Sequence, residues 1–149
     1  MKKCLIICVS AHTKSTQKLA DCFGEVLNAK VVNAKELQNE VIDNYDFIGF
    51  GSGIYYFRHN PVLLKLAENL PSTRKKAFIF STHGFPLSPI FHRTLRKILK
   101  EKGFTIDGEF SCAGKVNFGP FKVIGGLFPN HPTQRNLENA RRFAKKLLK

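Results

Sequence analysis

Two spacings of apolar residues alternate along this chain. Unbroken runs such as Cys4-Leu5-Ile6-Ile7-Cys8-Val9 and Ala77-Phe78-Ile79-Phe80 are each followed by a longer stretch with apolar positions three or four apart. A run apolar at every position is what a strand shows when both faces of its sheet are covered. The pattern predicts strands at residues 3–9, 30–33, 47–50, 77–80 and 105–112. Leu19, Phe23, Val26 and Leu27 form the stripe of a first helix, and residues 35–39 a short helical turn. Asn60-Pro61 sets a capping side chain before a proline at the first helical position. Leu63, Leu66, Ala67 and Leu70 continue that helix until Pro71. Ser88-Pro89 repeats the start ahead of Phe91, Leu95, Ile98 and Leu99, with Gly103 as the stop. A last helix from about residue 133 buries Leu137, Ala140, Ala144, Leu147 and Leu148.

Strands alternating with helices imply an α/β fold with a doubly wound, five-stranded parallel sheet. Such sheets bind ligands beyond the carboxyl ends of their strands, near the switch in strand order. The unusual sequences lie at those ends. After the first strand comes Ser10-Ala11-His12-Thr13-Lys14-Ser15-Thr16, after the third Gly51-Ser52-Gly53-Ile54-Tyr55-Tyr56-Phe57, and after the fourth Ser81-Thr82-His83-Gly84-Phe85-Pro86.

The first of these opens a helix. Helix-opening N–H groups lack intrahelical partners, and the dipole places partial positive charge there. Ser10, Thr13, Ser15 and Thr16 add hydroxyls, Lys14 a full charge and His12 an imidazole. A bound phosphate is the expectation. A plain helix cap explains one hydroxyl, not this density. Tyr55, Tyr56 and Phe57 are aromatic faces on which a flat ring can stack. Gly51 and Gly53 allow the backbone to approach a ring edge, or simply make a turn.

The length of 149 residues suits one domain spanning 1–149. No apolar stretch is long enough to span a bilayer, and the first is too short for a signal peptide, so a cytoplasmic location is expected. Cys4, Cys8, Cys22 and Cys112 form no CxxC pair and read as small core residues, not metal ligands or disulfides. The net charge of +13 draws acidic proteins, nucleotides, nucleic acids or anionic lipid, or else reflects a solvated lysine-rich surface. Arg93, Arg96, Lys97 and Lys100 share one helix face. With Arg141, Arg142, Lys145 and Lys146 they make either a docking surface or a solvated exterior.

With the three loops set out, the chain resembles the flavodoxin family, in particular small prokaryotic members whose first loop reads Ser-x-His-x-Gly-Asn-Thr. Ser10, His12 and Thr16 keep that pattern, while Lys14 and Ser15 replace its Gly and Asn. The stretch Tyr45-Asp46-Phe47-Ile48-Gly49-Phe50-Gly51-Ser52-Gly53-Ile54-Tyr55 is similar to the family's third strand and flavin loop, with Gly53 where many relatives have Pro. Ser81-Thr82 with Gly84 is the third match. The resemblance implies a three-layer sandwich with strand order 2-1-3-4-5 and noncovalently bound FMN. It assigns the phosphate to Ser10, His12, Thr13, Lys14, Ser15 and Thr16. The ring falls to Ser52, Gly53, Ile54, Tyr55 and Tyr56 on one side and Ser81, Thr82, His83, Gly84 and Phe85 on the other. His83 is a proton relay or a surface histidine. No GxGxxG follows the first strand, which favours a mononucleotide over NAD or FAD.

Typical flavodoxins are acidic, so this basic chain points to an acidic, ferredoxin-like redox partner. Positive charge at Lys14, Arg58 and His59 is expected to stabilise reduced FMN. The leading function is electron transfer. An FMN-dependent oxidoreductase reducing a quinone or another small acceptor is the alternative, and a flavin-free basic binding module stands behind both. No catalytic residue and no metal is assigned. The aromatic, glycine-broken loop at residues 113–132 is a lid, a docking segment or a core cap.

Overall fold

The computed structural model describes residues 3–9, 15–37, 42–55, 58–83, 89–113 and 132–148. Its strands are β1 (Cys4–Val9), β2 (Lys30–Asn33), β3 (Phe47–Tyr55), β4 (Arg58–His59), β5 (Lys76–His83) and β6 (Thr105–Ala113). Its helices are α1 (Ser15–Leu27), α2 (Pro61–Glu68), α3 (Arg93–Glu101) and α4 (Gln134–Leu147). Parallel strands run β2-β1-β3-β5-β6, which is the expected 2-1-3-4-5 order, and β4 pairs antiparallel with β3 off this path. No described helix is long and apolar enough to cross a membrane.

Alternation along the strands splits the core into two layers. Leu5, Ile7, Ile48, Phe50, Ala77 and Ile79 face α2 and α3, meeting Leu63, Ala67, Leu95 and Leu99. Cys4, Ile6, Cys8, Phe47, Phe78 and Phe80 face α1 and α4, meeting Leu19, Phe23, Ala140 and Ala144. Phe23 anchors the second layer, with its ring 5.5, 5.1 and 5.7 Å from those of Phe78, Phe80 and Phe110 in edge-on geometry.

Local chemistry sets the helix ends. Asn60 Oδ1 accepts the Val62 N–H at 2.8 Å, and Pro61 follows as the first helical residue. Thr133 and Asn136 form a reciprocal capping box on α4. Gly103 adopts φ 99° as Phe104 N–H returns to the Leu99 carbonyl, closing α3.

Five expectations need correction. The third and fourth strands extend past residues 50 and 80 to Tyr55 and His83. The presumed loop residues Gly51, Ser52 and Gly53 are paired with Phe80, Ser81 and Thr82. The helix expected at Ser88-Pro89 begins as a 3-10 turn, Pro89–His92, and becomes α-helical only at Arg93. Leu148 is exposed because it lies beyond the last turn of α4. The turn expected at residues 35–39 is a 3-10 turn at Ala34–Glu36.

Candidate functional site

The carboxyl ends of β3, β5 and β6 and the first turn of α1 meet on one edge. Ser52, Ser81 and Ser111 are register partners across three strands, and Gly53, Thr82 and Cys112 form the next row. In-register residues of a parallel sheet share a face, so adjacent rows point to opposite layers. Phe80 therefore marks the end of the aromatic layer, and Ser81 the end of the aliphatic one.

On the α1 side, Thr16 Oγ1 and Thr82 Oγ1 lie 2.8 Å apart. Only one hydroxyl hydrogen is spent between them, so the pair retains one more to give. Ser15 and Thr16 are buried in the opening turn of α1, which carries no acidic residue. This set of uncharged donors, at the positive end of a 13-residue helix, suits a phosphate monoester.

On the other face lies a polar layer. Ser52 Oγ accepts the Asn60 N–H at 2.9 Å and donates to the Gly53 carbonyl at 2.7 Å. Ser81 Oγ is 2.7 Å from His92 Nε2 and 2.9 Å from Ser111 Oγ. His92 Nδ1 is 2.9 Å from Glu109 Oε1. Arg96 grips the same carboxylate with Nε and Nη2, both at 2.7 Å. Burial would raise the Glu109 pKa, but hydrogen bonds from His92 and Arg96 and their charge outweigh it and hold it down to about 2.

His59 closes this layer. Its Nε2 donates to the Phe80 carbonyl at 3.0 Å, and its ring centroid lies 5.0 Å from that of His92. Complete burial and the neighbouring His92 push its pKa down to about 3, against smaller opposing effects of the Phe80 carbonyl and Glu109. His59 is therefore neutral near pH 7 and adds no positive charge to the edge. β4 turns back along β3 and carries the imidazole inside.

Among the anticipated site residues, Ser15, Thr16, Ser52, Gly53, Ile54, Ser81, Thr82 and His83 converge on this edge. Tyr55 ends β3, with its side chain outside the description. Ser10, His12, Thr13, Lys14, Tyr56, Gly84 and Phe85 lie outside the described residues, as does most of the loop expected at 113–132. His83 is a buried strand residue whose ring lies 5.9 Å from that of Phe91, not a surface histidine. Arg96 leaves the presumed solvated basic face for Glu109, while Arg93, Lys97 and Lys100 are exposed. All four cysteines are buried thiols, and no cluster of metal-ligating side chains occurs among the described residues.

Sequence reading missed His92, Glu109 and Ser111. For Glu109 and Ser111 the reason is a register shift between Ala77 and Phe78: Ala77 pairs with Ile106 but Phe78 with Gly108, so Asp107 is an extra residue, while His92 sits in the 3-10 turn before α3. The bulge reverses the alternation of β6 and turns Glu109 and Ser111 inward beside Ser81.

A protein of Methanocaldococcus jannaschii, itself described as uncharacterized, is 47% identical over 148 residues, covering 99% of each chain. The chain belongs to that protein's family. No family model matches it. Among solved structures, oxidised flavodoxin 2 from Bacillus cereus superposes with a TM-score of 0.72 at 18% identity, over 98% of this chain and 97% of that one. The flavodoxin of Streptococcus pneumoniae TIGR4 gives 0.72 at 12%, over 97% of each. This family therefore has the flavodoxin fold, as the three loops implied.

Proposed function

We propose that this protein binds FMN without a covalent link and serves as an electron carrier. The observation that carries the reading is the Thr16–Thr82 contact, on the sheet edge of a flavodoxin fold matched along nearly the whole chain. It joins a carboxylate-free helix opening to the end of β5, where phosphate and ring are expected. When bound, FMN supplies one- or two-electron transfer. The protein's part is to bind and orient it. Ser15 and Thr16, with Ser10, His12, Thr13 and Lys14, are assigned to the phosphate. Ser52, Gly53, Ile54, Tyr55, Tyr56, Ser81, Thr82, His83, Gly84 and Phe85 are assigned to the ring.

The redox partner is an acidic, ferredoxin-like protein. Exposed Arg93, Lys97 and Lys100 on α3 and Arg142, Lys145 and Lys146 on α4 are its counterpart, and steering by such charge weakens with salt. A second reading, an oxidoreductase reducing a quinone or other small acceptor, draws on the polar layer at Ser81 and His92.

The test is an absorbance spectrum before and after FMN addition, with calorimetry. Flavin bands retained through gel filtration and a measurable heat of association support the reading. A colourless protein that takes up no FMN refutes it. Turnover of a quinone by NAD(P)H with this protein alone would replace the carrier with the enzyme.

A further inference from the structure

The polar layer facing α2 and α3 holds more hydrogen-bonding machinery than a bound ring calls for. Glu109 accepts two hydrogen bonds from Arg96 and one at His92 Nδ1. A carboxylate so held has no hydrogen to give, so the hydrogen on Nδ1 belongs to His92. That leaves Nε2 as the ring nitrogen that can exchange a proton with Ser81. With Nε2 bare, hydroxyl hydrogens point from Ser111 to Ser81 and from Ser81 to His92. With Nε2 protonated they run the other way, from His92 to Ser81 and from Ser81 to Ser111. Both patterns keep every bond in the chain, so passing a proton leaves no atom orphaned.

We infer that Ser111, Ser81 and His92 form a proton relay that opens at the half-buried Ser111 and delivers a proton to an acceptor on the carboxyl edge of the sheet. One transfer moves three hydrogens in concert. Ser111 Oγ–H passes to the acceptor, Ser81 Oγ–H to Ser111, and His92 Nε2–H to Ser81. The imidazolium becomes neutral imidazole, still donating through Nδ1 to Glu109, and both serines end as hydroxyls. The role rests on the FMN reading in one respect: the acceptor is the bound flavin once it has taken an electron pair from an NAD(P)H or protein donor.

Among the described residues, the titratable and charged groups beside His92 are Glu109 from β6, with Arg96 from α3 bound to the same carboxylate, and His59 from β4. Arg96 holds the Glu109 carboxylate in line, and His59 stays neutral and adds no competing charge. A serine–imidazole–carboxylate row is also how hydrolases activate a nucleophile. Here Ser81 is 0% exposed and its oxygen is held by Ser111 as well, so the row hands on protons and does not attack substrate.

Two measurements test the relay. In the FMN-free protein, ¹⁵N-histidine NMR is expected to find His92 protonated at Nδ1 in its neutral form. Ser81→Ala and, at a half-buried position, Ser111→Ala both displace the Nε2 resonance. In FMN-saturated protein reduced by dithionite, proton uptake followed with a pH indicator slows about 10²-fold in Ser111→Ala and in His92→Gln, the scale of a lost general acid. An Nε2–H tautomer, wild-type proton uptake in Ser111→Ala, or labelling of Ser81 by a fluorophosphonate overturns the proposal. If the protein takes up no FMN, the functional reading falls and the relay loses its acceptor and falls with it; if FMN binds but proton uptake is unchanged in the variants, the relay alone falls.

Discussion

The ring of Phe80 lies flat against the backbone of Gly51, in the space a Cβ would occupy. The two are register partners on β5 and β3, and Phe78 covers Gly49 in the same way two pairs earlier. The rings reach Phe23 and Phe47 only because these positions lack side chains.

Gly51→Ala is therefore expected to destabilise the protein by about 1–3 kcal/mol, the usual cost of overpacking. Urea denaturation reads this as a lower midpoint at unchanged slope. A midpoint equal to that of the wild type would mean that Phe80 has another place to go.

Thr82→Val removes one partner of the Thr16 hydroxyl while keeping the shape. Loss of one hydrogen bond is worth about 0.5–1.5 kcal/mol, so FMN affinity should fall roughly 2- to 12-fold. Calorimetry against FMN checks it. Unchanged affinity would remove the threonine pair from the site.

Acid stability has two windows. Burial lowers the His59 pKa from its ordinary 6.5 to about 3 in the folded protein, so the folded state binds fewer protons than the unfolded chain. Its contribution is complete above pH 6.5 and is lost as pH falls toward 3. Glu109, lowered from 4.5 to about 2, contributes above 4.5 and loses it on the way to 2. Melting temperatures should begin to drop below pH 6.5, and His59→Gln should flatten the upper part of that decline. An identical slope in the variant would exclude His59 as its source.

The thiols should be silent in the native state. Burial raises the Cys4, Cys8 and Cys112 pKa values to about 12 and also raises that of Cys22. Thiolate is the reactive form. Ellman's reagent is expected to titrate four thiols after unfolding in guanidinium and almost none before. Rapid labelling of the folded protein at pH 8 would contradict the packing of both layers.

The sheet was readable because its strands are apolar on both faces, and the strand order followed from the resemblance at three loops. The strand ends were not readable. Gly51 to Gly53 and Ser81 to His83 look like loops because they lack bulk, yet they pair because neighbouring rings supply it. The α1 turn was legible from its hydroxyls. The layer at His92 and Glu109 was hidden because each looks like a solvent-facing position until the bulge at Asp107 and the 3-10 turn before α3 reorient them.

The threonine pair between α1 and β5 works as a two-position latch. Whichever hydroxyl points inward, the other has its hydrogen free for a guest, so the single spare hydrogen goes to the helix side or to the strand side while the other oxygen can only accept. Inorganic phosphate that takes this hydrogen at the α1 end should therefore compete with the phosphate of FMN.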